Sequence, residues 1–287
     1  MTDFSPLIVV SELHRRVGEL DLRVIDCRYD LMNPRAGRLA WVNSHIPGAV
    51  YADLDQDLAG PVTEHTGRHP LPTVDAACET FGRFGIDDET TVVVYDSGNG
   101  GIAARAWWLL RWLGHERVAL LDGGFAAWHE AGFTLESGAH DVVPRTFYGT
   151  PNNERVITTA EILAKGDAIA ELNLVDARDA VRFRGELEPI DPVAGHIPGA
   201  RNMPFGDALN ENGRWKTPQE LDEWWRSRLG AQPEGGYGVM CGSGVTACHL
   251  VLAARLAGHP EPRLYAGSWS EWIRDSGRPV GKGAAEP

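Results

Sequence analysis

The sequence predicts an α/β protein built as two tandem copies of one domain, each a mostly parallel sheet flanked by helices. Two observations lead there. The first is repetition in a fixed order, the mark of a duplicated unit. "VIDCRYD" from Val24 returns as "LVDARDA" from Leu174, and "SHIPGAV" from Ser44 as "GHIPGAR" from Gly195. "LGHERVALLDGGFAAW" from Leu113 returns as "AGHPEPRLYAGSWSEW" from Ala257. The second is that short β-branched runs alternate with segments of helical period in each copy, the pattern of a parallel sheet covered by helices.

Taken in order, "RVIDC" is a buried strand of the first copy, and "VDAACETFGRFG" is a helix that stops at a glycine. "TVVVYD" is the next strand, and "IAARAWWLLRWLG" a second helix with the same glycine stop. In the second copy "LNLVDAR" and "YGVM" are strands, and "TPQELDEWWRSRLG" and "VTACHLVLAARLAG" are helices. The first of these helices opens with Thr217 as N-cap and Pro218 at the first helical position. "DVVPRTFYGTPNNERV" follows neither period and is rich in Pro, Gly and Asn, as a connector is. The domains are therefore placed at residues 1–142 and 157–287, with a linker at 143–156.

Composition narrows the function classes. The formal charge of −13 offers no cationic stripe for nucleic acid. No apolar run approaches the roughly 20 residues of a membrane span. The N-terminus carries Asp3 where a secretory leader would be basic. The four cysteines, Cys27, Cys78, Cys241 and Cys248, form no CxxC pair and no metal-like spacing. A cytoplasmic protein with reduced thiols is expected. The tryptophans cluster on helices and read as packing residues.

Chemistry concentrates at "VMCGSGVTACHL", Val239 to Leu250. Cys241 ends a strand, and a glycine-rich loop leads into a helix, which is where open α/β sheets bind ligands. Backbone N–H groups converge there and the helix dipole adds positive charge, so the loop suits an anion and equally a thiolate. Aligning strand ends puts Asp96 of the first copy where Cys241 stands in the second. One copy can attack a substrate and the other cannot. Cys27, Cys78 and Cys248 lie in strand or helix runs and read as inert small hydrophobes.

Two rival readings of the loop are weaker. Gly242-x-Gly244-x-x-Ala247 and Gly98-x-Gly100-x-x-Ala103 match a dinucleotide fingerprint, but that pattern should follow the first strand of its unit. A cysteine phosphatase needs an arginine six residues after its nucleophile, where this chain has Ala247.

The tandem repeat, the two HIPGA motifs, "GSWSEW" and above all "CGSGVTA" resemble the two-domain sulfurtransferases of the rhodanese fold. The loop is most similar to that of the branch using 3-mercaptopyruvate. The resemblance implies two rhodanese-like domains, the second catalytic. It implies a ping-pong reaction: a small anionic donor gives sulfur to Cys241, pyruvate leaves, and a thiol acceptor such as thioredoxin, or cyanide, removes the sulfur. No cofactor and no metal are expected. Thiosulfate-using members carry Arg and Lys after the cysteine; Gly242 and Ser243 supply no charge there, which favours mercaptopyruvate. Thiosulfate transfer and a non-catalytic sulfur carrier are the alternatives.

The same resemblance assigns Ser243, His69 and Asp55 to a proton relay, with Cys241 as nucleophile. Gly242, Gly244, Val245 and Thr246 complete the anion loop. Arg182 matches the first arginine for a substrate carboxylate. The second, normally after a Glu-Pro pair, is Ile190 here, and Arg184 is the candidate to compensate. His45 and His196 occur in both HIPGA motifs although only one copy has the cysteine, so they read as turn residues of the fold.

Overall fold

The β-branched runs form the centres of two five-stranded sheets, all of whose pairings are parallel. The computed structural model describes residues 4–284. The first unit runs β1 (Leu7–Ile8), α1 (Val10–Arg16), β2 (Leu22–Asp26), α2 (Arg35–Asn43), β3 (Val50–Tyr51), α3 (Val74–Arg83), β4 (Thr91–Tyr95), α4 (Ala103–Trp112), β5 (Val118–Leu121) and α5 (Gly124–Glu130). Its strand order is β1-β5-β4-β2-β3. The second runs β6 (Val156–Ile157), α6 (Thr159–Ala164), β7 (Leu174–Asp176), α7 (Ala180–Phe183), β8 (Arg201–Asn202), α8 (Pro218–Leu229), β9 (Gly238–Met240), α9 (Ala247–Leu256), β10 (Arg263–Tyr265) and α10 (Ser268–Trp272). Its order, β6-β10-β9-β7-β8, repeats the first.

The two compact units trade short segments. Residues 61–70 belong with the second unit and 211–215 with the first, so one cut near residue 150 does not separate them. The connector is laid along the first unit by its backbone: Arg145 N–H donates to Gly82, Thr150 to Leu113 and Asn152 to Trp112.

Local chemistry explains the helix ends. Thr217 accepts from Glu220 N–H while the Glu220 carboxylate accepts from Thr217 N–H, a capping box behind Pro218. Thr158 and Glu161 do the same for α6, and Thr73 caps α3. Helix α4 is buried along its whole length. Trp107, Trp108, Trp128, Trp225, Trp269 and Trp272 are among the largest fully buried side chains, in keeping with a packing role.

Each repeated D-x-R motif makes a buried ion pair at the carboxyl end of a central strand. Arg28 Nη2 lies 2.6 Å from Asp26 Oδ2, and Arg178 Nη2 2.6 Å from Asp176 Oδ2. The same nitrogens also donate to main-chain carbonyls just before the HIPGA turns, Arg28 to Ser44 and Arg178 to Gly195. Burial alone would favour a neutral Arg178, but Asp176 outweighs it and holds the guanidinium charged. Removing one partner of such a pair leaves a buried uncompensated charge. Asp26→Ala is expected to cost about 3–5 kcal/mol of stability, measured as a lower urea midpoint of the full chain.

Candidate active site

Cys241 follows β9 and is buried at 2% exposure. Its N–H donates to Ser268 Oγ at 3.1 Å, and its carbonyl accepts from Trp269 N–H at 3.0 Å. Ser270 N–H donates to the Gly242 carbonyl at 2.8 Å, so the loop is pinned along its length by the N-terminal end of α10. Gly244 has φ +75°, and a Cβ there would strike the Ala266 backbone. Only glycine fits.

The first unit shows what the loop geometry holds. Phe125 N–H donates to the Asp96 carbonyl as Trp269 does to Cys241, so the two residues correspond. The Asp96 carboxylate accepts from the N–H groups of Gly98, Gly100, Ile102 and Ala103 at 2.9–3.2 Å. The first loop is thus filled by its own side-chain anion. In the second unit a cysteine takes that place.

Ser243 lies beside it. Its Oγ is 2.7 Å from His69 Nδ1, and both residues are buried, with His69 brought in by the segment 61–70. Arg68 N–H donates to Ser270 Oγ, and Arg274 donates to the Thr66 carbonyl, fixing that segment. Asp55 belongs to the first unit, where its carboxylate accepts from Tyr29 Oη at 2.6 Å.

Two guanidinium groups stand over the start of the loop. A Cβ on Gly242 would lie 3.0 Å from Arg68 Nη2 and 3.5 Å from Arg182 Nη2. Arg182 is held by Glu188, with Nη2 at 2.8 Å, and reaches Asp191 at 3.2 Å; Arg68 pairs with Asp191 on the other side. Burial pushes the Glu188 carboxyl up, but the bonds from Arg182 and the Asp191 N–H outweigh it and hold it below the usual range. For Asp191 burial dominates and holds the carboxyl above its ordinary value despite both arginines. Glu188 also takes Arg178 Nη1 at 3.3 Å, so with Asp176 three carboxylates face three guanidinium groups and the cluster is near neutral, with Arg182 Nη1 and Arg68 Nη2 facing Gly242.

Sequence reasoning placed Arg182 here but missed Arg68, and it offered Arg184 instead. Arg184 is bound by Glu186 at 2.7 Å on the exposed side of the turn. Residues two apart on a helical turn face different ways, so Arg184 does not follow Arg182. Ile190 contributes only its backbone N–H, donated to Glu188.

Ser268 was also missed, and it has a signal of its own. It adopts φ +54°, the value of Gly124 at the matching place in the first unit. A non-glycine residue there costs about 1–2 kcal/mol. The hydroxyl that bonds Cys241 N–H and donates to the Tyr265 carbonyl at 2.8 Å is the compensation. The other thiols behave as packing groups: burial pushes Cys27 and Cys78 above the ordinary range, and Cys248 is buried in α9. Ser268→Gly is expected to change stability by less than about 1.5 kcal/mol, because strain relief offsets the lost bond. It should slow iodoacetamide alkylation of Cys241, read by intact mass, by about tenfold, the rate equivalent of one hydrogen bond.

Comparison with known proteins agrees with this geometry. The model of the rhodanese-like domain matches twice, at residues 9–131 and 159–275. A Pseudomonas aeruginosa protein named as a probable 3-mercaptopyruvate sulfurtransferase is 48% identical over 281 residues, 97% of this chain and 99% of that one. A Mycobacterium tuberculosis protein named as a thiosulfate sulfurtransferase is 39% identical over 286 residues, 97% of this chain and 98% of its own. Among solved structures, the 3-mercaptopyruvate sulfurtransferase of Escherichia coli superimposes with a TM-score of 0.80 at 32% identity, covering 93% of this chain and 99% of that one. With its glycine-rich cysteine loop, duplicated sheet order and near full-length relatives, the chain belongs to the rhodanese family and is a two-domain sulfurtransferase.

Proposed function

We propose that the protein transfers sulfur from 3-mercaptopyruvate through a persulfide on Cys241 to a thiol acceptor, without cofactor or metal. The observation that carries this reading is the pair of guanidinium groups beside Gly242, next to a cysteine in an anion-holding loop. A planar guanidinium binds carboxylate through parallel hydrogen bonds. Arg182 Nη1 and Arg68 Nη2 receive the donor's carboxylate, which leaves its sulfur over the Cys241 thiol. A thiosulfate dianion would instead be served by cations within the loop, and Gly242 to Thr246 provide none.

The steps balance without an outside reductant. Cys241 thiolate attacks the donor sulfur; the carbon–sulfur bond breaks and its electron pair stays on carbon. The proton of the donor thiol moves to that carbon, giving pyruvate and a cysteine persulfide anion. Ser243 and His69, in hydrogen-bond contact, carry that proton. The N–H groups of the loop, Gly244, Val245 and Thr246 included, stabilise the persulfide, as those of Gly100 and Ile102 in the first unit hold the Asp96 carboxylate. A thiol such as that of a thioredoxin, or cyanide, then removes the outer sulfur. We place this chemistry in the cytoplasm, where acceptor thiols stay reduced.

The test mixes reduced protein with 3-mercaptopyruvate and reads pyruvate release and intact mass, with thiosulfate alongside. Pyruvate and one added sulfur, both absent in Cys241→Ser, are expected. Sulfur loading from thiosulfate alone would move the protein to the activity named for the Mycobacterium relative. Loading from neither donor would leave the carrier reading in front.

Arg68→Met is expected to raise KM for mercaptopyruvate by about 10- to 100-fold, the loss of a charge-assisted hydrogen bond. Arg68→Lys, which keeps a cation beside Asp191 but loses the planar fork, should recover only part of that loss. Unchanged KM in both variants would remove Arg68 from the donor site.

A further inference from the structure

The geometry points to a zinc-type metal site in the first unit, formed by His45, Glu136 and His140, with no counterpart in the second. The sequence spacing hides it. The three residues stand on the HIPGA turn and on the segment after α5, and they follow no metal-binding pattern.

His45 is fully buried, and its Nδ1 lies 2.7 Å from the Trp41 carbonyl. A carbonyl only accepts, so Nδ1 carries the hydrogen and Nε2 of the neutral ring presents a lone pair. Among the described residues that Nε2 has no hydrogen-bond partner. It faces the Glu136 carboxylate, another acceptor, at 3.7 Å. Two acceptors directed at one another require a cation between them. Both ring nitrogens of His140 are also buried and unpartnered, and its ring centre is 5.8 Å from that of His45. A proton on His45 would answer the carboxylate and leave His140 unsatisfied. A metal ion takes one nitrogen of each ring and the carboxylate together.

The donor atoms lie within 4.8 Å of one another. Tetrahedral zinc, with ligands at about 2.0–2.2 Å, needs them roughly 3.3–3.5 Å apart, so closure asks for a shift of about 1 Å. The surroundings favour that closure. Backbone hydrogen bonds in both directions join His45 and Glu136. Gly48 N–H orients the carboxylate, and Trp41 stacks on His45. A metal-binding imidazole whose other nitrogen donates to a main-chain carbonyl is the usual supporting arrangement. Two imidazoles and one carboxylate suit zinc and leave a fourth position for water.

The second unit is an internal control. His196 makes the same two-way bridge, to Gly281, and the same ring contact, to the Phe183 carbonyl at 2.8 Å. Glycine replaces the glutamate, so the turn needs its histidine but not the metal ligands.

The test titrates zinc chloride into chelator-treated full-length Cys241→Ser protein by calorimetry, which removes the reactive thiol as a competing ligand. One zinc per chain is expected, with affinity at least tenfold weaker in His140→Ala and in Glu136→Gln. Cobalt(II) should give visible bands that the same variants lose. Circular dichroism checks that both variants are folded. No zinc uptake, or uptake unchanged in both folded variants, would overturn the proposal. So would imidazole nitrogen resonances showing His45 doubly protonated at neutral pH and unmoved by zinc.

Discussion

The buried aspartate–arginine pair at the end of β2 and of β7 ties each sheet to the turn and the loop beside it. Asp176 fixes Arg178, and Arg178 reaches the Gly195 carbonyl before the HIPGA turn while lying 4.9 Å over the Trp269 ring. Trp269 in turn donates its backbone N–H to the Cys241 carbonyl and its indole N–H to Val193. One ion pair thus links β7, the repeated turn and the cysteine loop. In the first unit Arg28 stands 4.1 Å over Phe125, whose N–H bonds the Asp96 carbonyl, so the same chain of contacts ends on an aspartate in place of the cysteine. The repeated motifs in the sequence are the visible trace of this linkage.

The two units share one strand order and differ most in the side chains set at the loop after the middle strand. Strand order, the turn histidines, the left-handed residue before the loop contact and the loop hydrogen bonds all recur. What differs is the group aimed into the amides and what stands above it. The second unit sets a cysteine, a serine–histidine contact and two arginines on that plan.

Sequence alone made the fold legible because its signals are local: β-branched strand runs, capped helices, and repeats close in composition. Cys241 was legible for the same reason, since strand, glycine loop and helix are contiguous. Arg68 was not. It stands beside His69 on a segment of the first half that folds with the second unit, far in sequence from Gly242. No reading based on nearby residues finds a partner that distant. Ser268 escaped because its role depends on a backbone angle that serine rarely adopts. Arg184 drew attention through adjacency to Arg182, which on a helical turn means divergence.

Asp96 is in effect a ligand that the first unit carries within its own sequence. Its amides stay satisfied whatever the protein is doing, while on the proposed mechanism those around Cys241 meet one sulfur in the first half-reaction and two in the second. Local order in the second unit should therefore rise and fall through the catalytic cycle, and the first should remain constant. The duplication leaves the molecule with a built-in reference of matching fold, against which the working half can be compared inside a single chain.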